Sequence, residues 1–224
     1  MEGREEKNKP IRDLISFPII FNVIGFSSIG LLFIASPESL TDPSTFNLVI
    51  YLSVFLTEWL LAFTIIRRLR KQGFSIKEVI TPKKEFKPIP AILVFVSLNA
   101  LFPTYIILSL MLNRIPYMYG LTLLEVVFFI IVSPITAGFV EELIWRGYFI
   151  EKLLARGDSK WRAILLSSIS FAFIHGFFLI DKLIVTFLFG IIAGLYYFQE
   201  RNLPVLILSH VTVDVIAFAL AIVI

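Results

Sequence analysis

Seven apolar runs of about 20 residues each dominate this 224-residue chain. They are Leu14–Ala35, Phe46–Ile66, Ile89–Met111, Gly120–Glu142 (continuing toward Tyr148), Ala163–Ile180, Leu183–Gln199 and Leu203–Ile224. A run of that length covers the roughly 30 Å of bilayer hydrocarbon. Hydrocarbon offers no water to the backbone, so a spanning segment must be a helix or part of a closed barrel. Barrel strands read as short segments of alternating polarity, and these runs do not alternate. The fold class is therefore all-α: a polytopic transmembrane helical bundle of about seven spans, with room for an eighth helix or a re-entrant piece. Composition agrees, because charged residues make up 17% of the chain, against about 25% in soluble domains. One membrane domain over residues 1–224 is expected, with a polar N-terminal arm at 1–13 and the chemistry-bearing half at 120–224. The first run is longer than the roughly 7–15-residue core of a signal peptide, so it reads as a retained helix.

The charges sort by side. Basic residues crowd the N-terminal arm, the stretch from Arg67 to Lys87, the stretch from Arg146 to Arg162, and Arg201. With seven spans, all but Arg114 and Lys182 of the 20 basic residues fall on one side. Cytoplasmic loops carry such an excess of Lys and Arg, which predicts a cytoplasmic N-terminus and an outer C-terminus. Membrane lipid is the partner this pattern implies, and nucleic acid is not. The long connection Arg67–Pro88, broken by Pro82 and Pro88, reads first as an inner-face anchor. The stretch Arg146–Arg156 reads as an interfacial helix on the inner face, and Gly176 with Asp181-Lys182 as a tight turn. The chain has no cysteine, which excludes thiol catalysis, disulfides, iron–sulfur clusters and cysteine-ligated zinc.

Ionisable side chains inside a span cost a few kcal/mol and by default mark function. The densest group is Glu141-Glu142-Leu-Ile-Trp-Arg146. On a helix Glu142 and Arg146 stand at i and i+4, acid first, the favourable order for an ion pair. Glu141 lies about 100° round the helix and is free for other work. Both histidines of the chain, His175 and His210, fall within apolar runs. Histidine moves a proton near neutral pH and is a common metal ligand. Asp214 follows His210 by one turn and can orient its ring, and Phe171 precedes His175 by one turn and can wall it. Glu58, well inside the second run, reads first as a structural hydrogen-bond acceptor, and Glu125 as interfacial.

Familiar hydrolytic motifs are missing. There is no His-Glu-x-x-His and no Gly-x-Ser-x-Gly. Ser209 and His210 are adjacent, so they face different ways on a helix. Asp214 is the one clearly intramembrane aspartate, so no aspartate pair exists. A glutamate, two histidines and an aspartate on three helices remain. That set can activate water directly, with Glu141 as general base, or hold a divalent metal such as zinc whose bound water attacks. For the metal route the candidate ligands are Glu141, His175, His210 and Asp214. Both routes hydrolyse an amide.

The ordered pattern Glu141-Glu142-x-x-x-Arg146, Phe171-x-x-x-His175 and His210-x-x-x-Asp214 resembles the CPBP family, the CAAX prenyl protease and bacteriocin-processing membrane enzymes also called Abi. The motifs cover roughly the C-terminal 40% of the chain. The resemblance implies an intramembrane endopeptidase acting on a membrane-associated peptide or a lipidated protein. It implies Glu141 as water-activating base assisted by His175, Glu142 and Arg146 as supports, and His210 with residue 214 as oxyanion stabilisers. The family is described both as glutamate-dependent and as metal-dependent. Its last motif often ends in Asn, and here it is Asp214. An ionised Asp cannot donate to an oxyanion, so Asp214 is left to act as a protonated donor, to orient His210 or to ligate a metal. Two non-protease readings stand beside this one: a peptide-binding bacteriocin-immunity protein, and a small transporter using Glu58, Glu141 and the histidines as a relay.

The linear spacing sets a geometric condition. Glu141 lies near the inner end of its run, whereas His175 lies about 18 Å into its own at 1.5 Å per residue. They meet if the helices tilt, if the fifth run starts later, or if the fourth helix runs on past Glu142, with Pro134 permitting a kink. The expected arrangement carries Glu141 into a conical cavity open to the cytoplasmic side.

Overall fold

The computed structural model describes residues 2–37, 42–112, 121–176 and 179–223. Among these the chain is helical, with no strand. The elements are α1 (Glu2–Ala35), α2 (Pro43–Lys71), α3 (Ile76–Ile80), α4 (Pro88–Met111), α5 (Leu123–Ala155), α6 (Lys160–Ile174), α7 (Ile180–Glu200) and α8 (Leu203–Val223). The expected fourth-run start at Gly120, and Arg114, lie outside the described residues. Helix α1 takes in the polar arm, being helical from Glu2 onward.

Six helices, α1, α2, α4, α5, α7 and α8, are long and apolar enough to cross a membrane. The fifth apolar run departs from expectation. It forms α6, whose 15 residues reach only about 22 Å. Both of its ends are set locally. Ser159 Oγ accepts from Arg162 N at 3.3 Å and caps the start. At the other end Gly176 takes φ +101, a conformation open to glycine because it has no Cβ. Asn22 Nδ2 donates to the Phe173 carbonyl at 2.9 Å, alongside the Gly176 N–H at 3.4 Å, at the C-terminal end of α6. Asn22 stands midway along the spanning stretch Lys9–Ala35 of α1, so α6 ends at about half depth. Its neighbour α7 instead runs the full length of α4. Lys87 pairs with Glu200 at 3.4 Å at one end, and Ser109 Oγ donates to Asp181 at 2.8 Å at the other.

The basic loops meet at one end of the bundle, as their clustering predicts. Arg68 of α2 pairs with Asp13 of α1. Lys84 donates to the Gln199 carbonyl, Lys152 to Gln72, and Arg201 pairs with Glu151. Tyr197 Oη donates to the same Glu151 at 2.9 Å. Large apolar side chains such as Leu31, Ile34, Met111 and Leu123 point outward, the belt expected of helices facing lipid.

The stretch after Glu142 corrects the reading of an interfacial helix. Residues Glu142–Ile150 are all buried and continue α5 through the core. Helix α3 packs over this part of the helix, with Val79 so close that a Cβ on Gly147 would lie 2.9 Å from it. Glu141 therefore sits near the middle of a 33-residue helix instead of at its inner end. A long fourth helix and a short fifth together remove the depth mismatch between Glu141 and His175.

Candidate active site

Two π-helical stretches, Phe128–Val132 and Glu142–Ile150, interrupt α5. Such widened turns are rare and gather at functional sites. The first lies directly upstream of Pro134, whose missing N–H disturbs the α-helical ladder. The second begins at the diacid. Close approach of α8 depends on Gly138, where a Cβ would come 2.6 Å from Val211 Cγ2 and 3.2 Å from the Ile207 carbonyl oxygen. Small residues let membrane helices approach this closely. One turn further along α8 from Ile207, His210 faces the diacid.

Glu141 and Glu142 grip one imidazole from its two nitrogens. His210 Nδ1 lies 2.8 Å from Glu142 Oε1, and Arg146 Nη1 donates to that same oxygen at 2.9 Å. The carboxylate paired with Arg146 accepts, so His210 Nδ1 carries the proton and Nε2 presents a lone pair. That Nε2 lies 3.6 Å from Glu141 Oε2 and 3.7 Å from Asp214 Oδ2. His175, the residue that ends α6, is oriented the same way. Its Nδ1 lies 2.9 Å from the Phe171 carbonyl, which can only accept, and its Nε2 lies 3.9 Å from Glu141 Oε2.

Glu141 Oε2 is buried and has no hydrogen-bond partner. An orphaned buried carboxylate oxygen carries a desolvation penalty of a few kcal/mol. It persists here facing two imidazole lone pairs, at separations too long for direct hydrogen bonds and wide enough for one water between them. Glu142 is 0% exposed; its Oε1 holds both His210 and Arg146, and its Oε2, like that of Glu141, is buried without a hydrogen-bond partner.

The expected supports are in position. Arg146 is 1% exposed. Its guanidinium lies 4.3 Å from the Phe171 ring centroid and 5.5 Å from that of Phe189. Phe171 also contacts the His175 ring edge-on at 4.9 Å, and Phe189 contacts the His210 ring at 4.7 Å. Trp145 Nε1 donates to Ser170 Oγ at 3.1 Å, and Ser167 Oγ donates to the Trp145 carbonyl at 2.7 Å, which locks α6 against the widened turn of α5. On its other side α6 meets α7 at Gly190, where a Cβ would lie 2.9 Å from the Ser168 Cα. All seven residues singled out by their motifs thus converge on one buried cluster.

Two further residues join it. Glu58 of α2 is 4% exposed and lies within electrostatic range of Glu141 and Asp214. The structural-acceptor reading understates Glu58, and its depth in an apolar run is the available signal. Lys182 of α7, half-buried in the first turn of its helix, lies within electrostatic range of Asp214, Asp181 and His175. Sequence reasoning makes it only a turn residue and a stray outer charge. Its isolation from every other basic residue is the clue.

Zinc fits the donors poorly. Ligands held at about 2.0–2.1 Å in a tetrahedron stand roughly 3.3 Å apart, closer than the separations here. Among the described residues no group of three His, Asp or Glu is arranged to hold a metal ion. The geometry is that of a buried cluster of acceptors around Glu141 Oε2.

Residues 122–216 match the family model described as type II CAAX prenyl endopeptidase Rce1-like. The match begins at the cap of α5, runs through all three motifs, and ends two residues after Asp214. No curated protein and no solved structure gives a significant match to the chain.

Proposed function

We propose that this chain, whose residues 122–216 belong to the Rce1-like type II CAAX prenyl endopeptidase family, cuts membrane-associated peptides with water activated at Glu141. One observation carries the reading: the buried, unpartnered Glu141 Oε2 faces the free Nε2 of His210 at 3.6 Å and of His175 at 3.9 Å.

A water between these acceptors gives one hydrogen bond to Glu141 and a second to an imidazole. As its oxygen attacks the peptide carbonyl carbon, a C–O bond forms and the carbonyl electron pair moves onto oxygen. Glu141 takes the water proton as general base. It then returns that proton to the amide nitrogen as the C–N bond breaks, leaving a carboxylic acid and an amine. His175 keeps its lone pair toward the water because its other nitrogen is tied to the Phe171 carbonyl. His210 is held by Glu142, which Arg146 in turn holds, and Asp214 flanks its Nε2. No step needs a metal.

The substrate class is a peptide presented at the membrane, either lipidated at a C-terminal cysteine or carrying a leader segment. The basic end of the bundle is assigned to the cytoplasm by its Lys and Arg excess, which puts the N-terminus there too.

The test is cleavage of matched prenylated and unprenylated peptides by the protein in lipid nanodiscs, read by mass spectrometry with and without a chelator. Discrete fragments that persist under chelation support a water-activating protease. Fragments lost to the chelator and restored by zinc overturn the metal-free steps. Intact peptide that binds without fragmenting supports the immunity-type binding reading instead.

A further inference from the structure

Along α2, Leu52, Leu56, Leu60 and Phe63 recur at helical spacing and share one face. They are 44%, 60%, 53% and 62% exposed. Glu58 lies on the opposite face and is buried in the bundle. From Leu52 to Phe63 the stripe runs about 16 Å at 1.5 Å per residue, close to half of the roughly 30 Å of bilayer hydrocarbon, which is one leaflet. The same face then changes character. Arg67, Arg70 and Lys71 follow, all exposed. With Phe63 and Ile66 they line a groove of about 380 Å³, and among the described residues no carboxylate lines it.

Other cations at this end of the bundle are used inside the protein. Arg68 turns toward α1 and pairs with Asp13. Lys84 donates to the Gln199 carbonyl, Lys87 pairs with Glu200, Arg201 pairs with Glu151, and Lys152 donates to Gln72. The side chains of Arg67, Arg70 and Lys71 differ. Among the described residues they make no hydrogen bond and no ion pair within 4.0 Å. Three cations gathered in one groove repel one another, and an anion seated between them removes that cost. The guanidinium fork fits two phosphate oxygens at once, and an ammonium adds a third positive contact. Basic pockets at the cytoplasmic end of membrane helices suit anionic lipid headgroups. The apolar wall at Phe63 and Ile66, continued by the leucines, selects a phosphate that carries an acyl chain.

We propose that this face of α2 binds one anionic phospholipid, its phosphate held by Arg67, Arg70 and Lys71 and an acyl chain laid along Phe63, Leu60, Leu56 and Leu52. The site lies apart from the Glu141 cluster and does not depend on the protease reading.

The experiment is native mass spectrometry of the full chain in a neutral detergent, titrated with phosphatidylglycerol or with phosphatidylcholine of the same acyl chains. It compares wild type with Arg67→Gln/Arg70→Gln/Lys71→Gln. A control triple variant, Arg12→Gln/Lys77→Gln/Lys160→Gln, loses the same charge at basic positions outside the groove. Wild type should hold one phosphatidylglycerol far more tightly than phosphatidylcholine. The groove variant should lose about a hundredfold in phosphatidylglycerol affinity, with lipid-free melting unchanged, since no partner inside the protein is stranded. The control should stay within about threefold of wild type. Arg70→Gln alone should lose about fivefold, and it decides the matter if the triple variant melts early. Equal binding of the two lipids by wild type overturns the proposal. So does an equal loss in both triple variants, which would assign binding to the charge of the whole basic end. Displacement of the lipid by millimolar inorganic phosphate overturns it as well, by making the groove a site for free phosphate.

Discussion

Glu142 and His210, 68 residues apart in sequence, are joined by a 2.8 Å hydrogen bond that fixes which histidine nitrogen faces Glu141. The same Glu142 oxygen holds Arg146 at 2.9 Å. Replacing Glu142 by Gln should therefore do two things. It frees the His210 ring, lowering turnover about ten- to a hundredfold, the usual effect of losing a partner that orients a functional side chain. It also strips a buried guanidinium of its counter-ion, which costs about 3–5 kcal/mol and should appear as a lower melting temperature. The double variant Glu142→Gln/Arg146→Met should recover most of the melting loss and none of the turnover.

Much of this arrangement is legible in the sequence. The apolar runs lead to a helical bundle, and intramembrane charges point to Glu141, Glu142, Arg146, His175, His210 and Asp214. What the sequence hides is depth. A run of apolar residues does not reveal that α6 stops at His175, because the stop depends on Gly176 adopting a positive φ. It allows α5 to continue past two carboxylates and an arginine but does not decide it. Those charges look like a helix end until their partners on α8 are known. Glu58 is noticed but undervalued for a related reason, since Glu141 and Asp214 lie far from it in sequence.

Close approach of α5 and α8 at Gly138 positions the diacid against His210. A Cβ there would lie 2.6 Å from Val211 Cγ2 and 3.1 Å from the Val211 backbone nitrogen. Gly138→Val should push the helices apart, lowering melting by the roughly 1–3 kcal/mol typical of overpacking and turnover by more than that loss explains. Activity measured below the melting transition separates the two effects. Gly25 has nothing within 4 Å of a built Cβ, so Gly25→Ala should leave both readouts near wild type.

Glu58 is buried in α2 within electrostatic range of Glu141. Glu58→Gln keeps a neutral donor at that position and should retain turnover within a fewfold of wild type. Glu58→Leu removes the partner and should lower turnover by about tenfold or more, with a smaller effect on melting, since no countercharge is stranded. Steady-state rates of the two variants beside wild type check this. Equal rates for all three would make Glu58 a bystander.

Glu141→Gln tests the central claim most directly. The substitution preserves the shape of a buried side chain that has no hydrogen bond on Oε2 and removes its capacity to accept a proton from water. Peptide cleavage in nanodiscs and thermal melting should be measured on the same preparations of wild type and variant. The account predicts a fall in turnover of at least about a hundredfold with melting unchanged or slightly raised. Turnover that survives in Glu141→Gln, or a variant that loses activity only because it unfolds, would contradict Glu141 as the water-activating base.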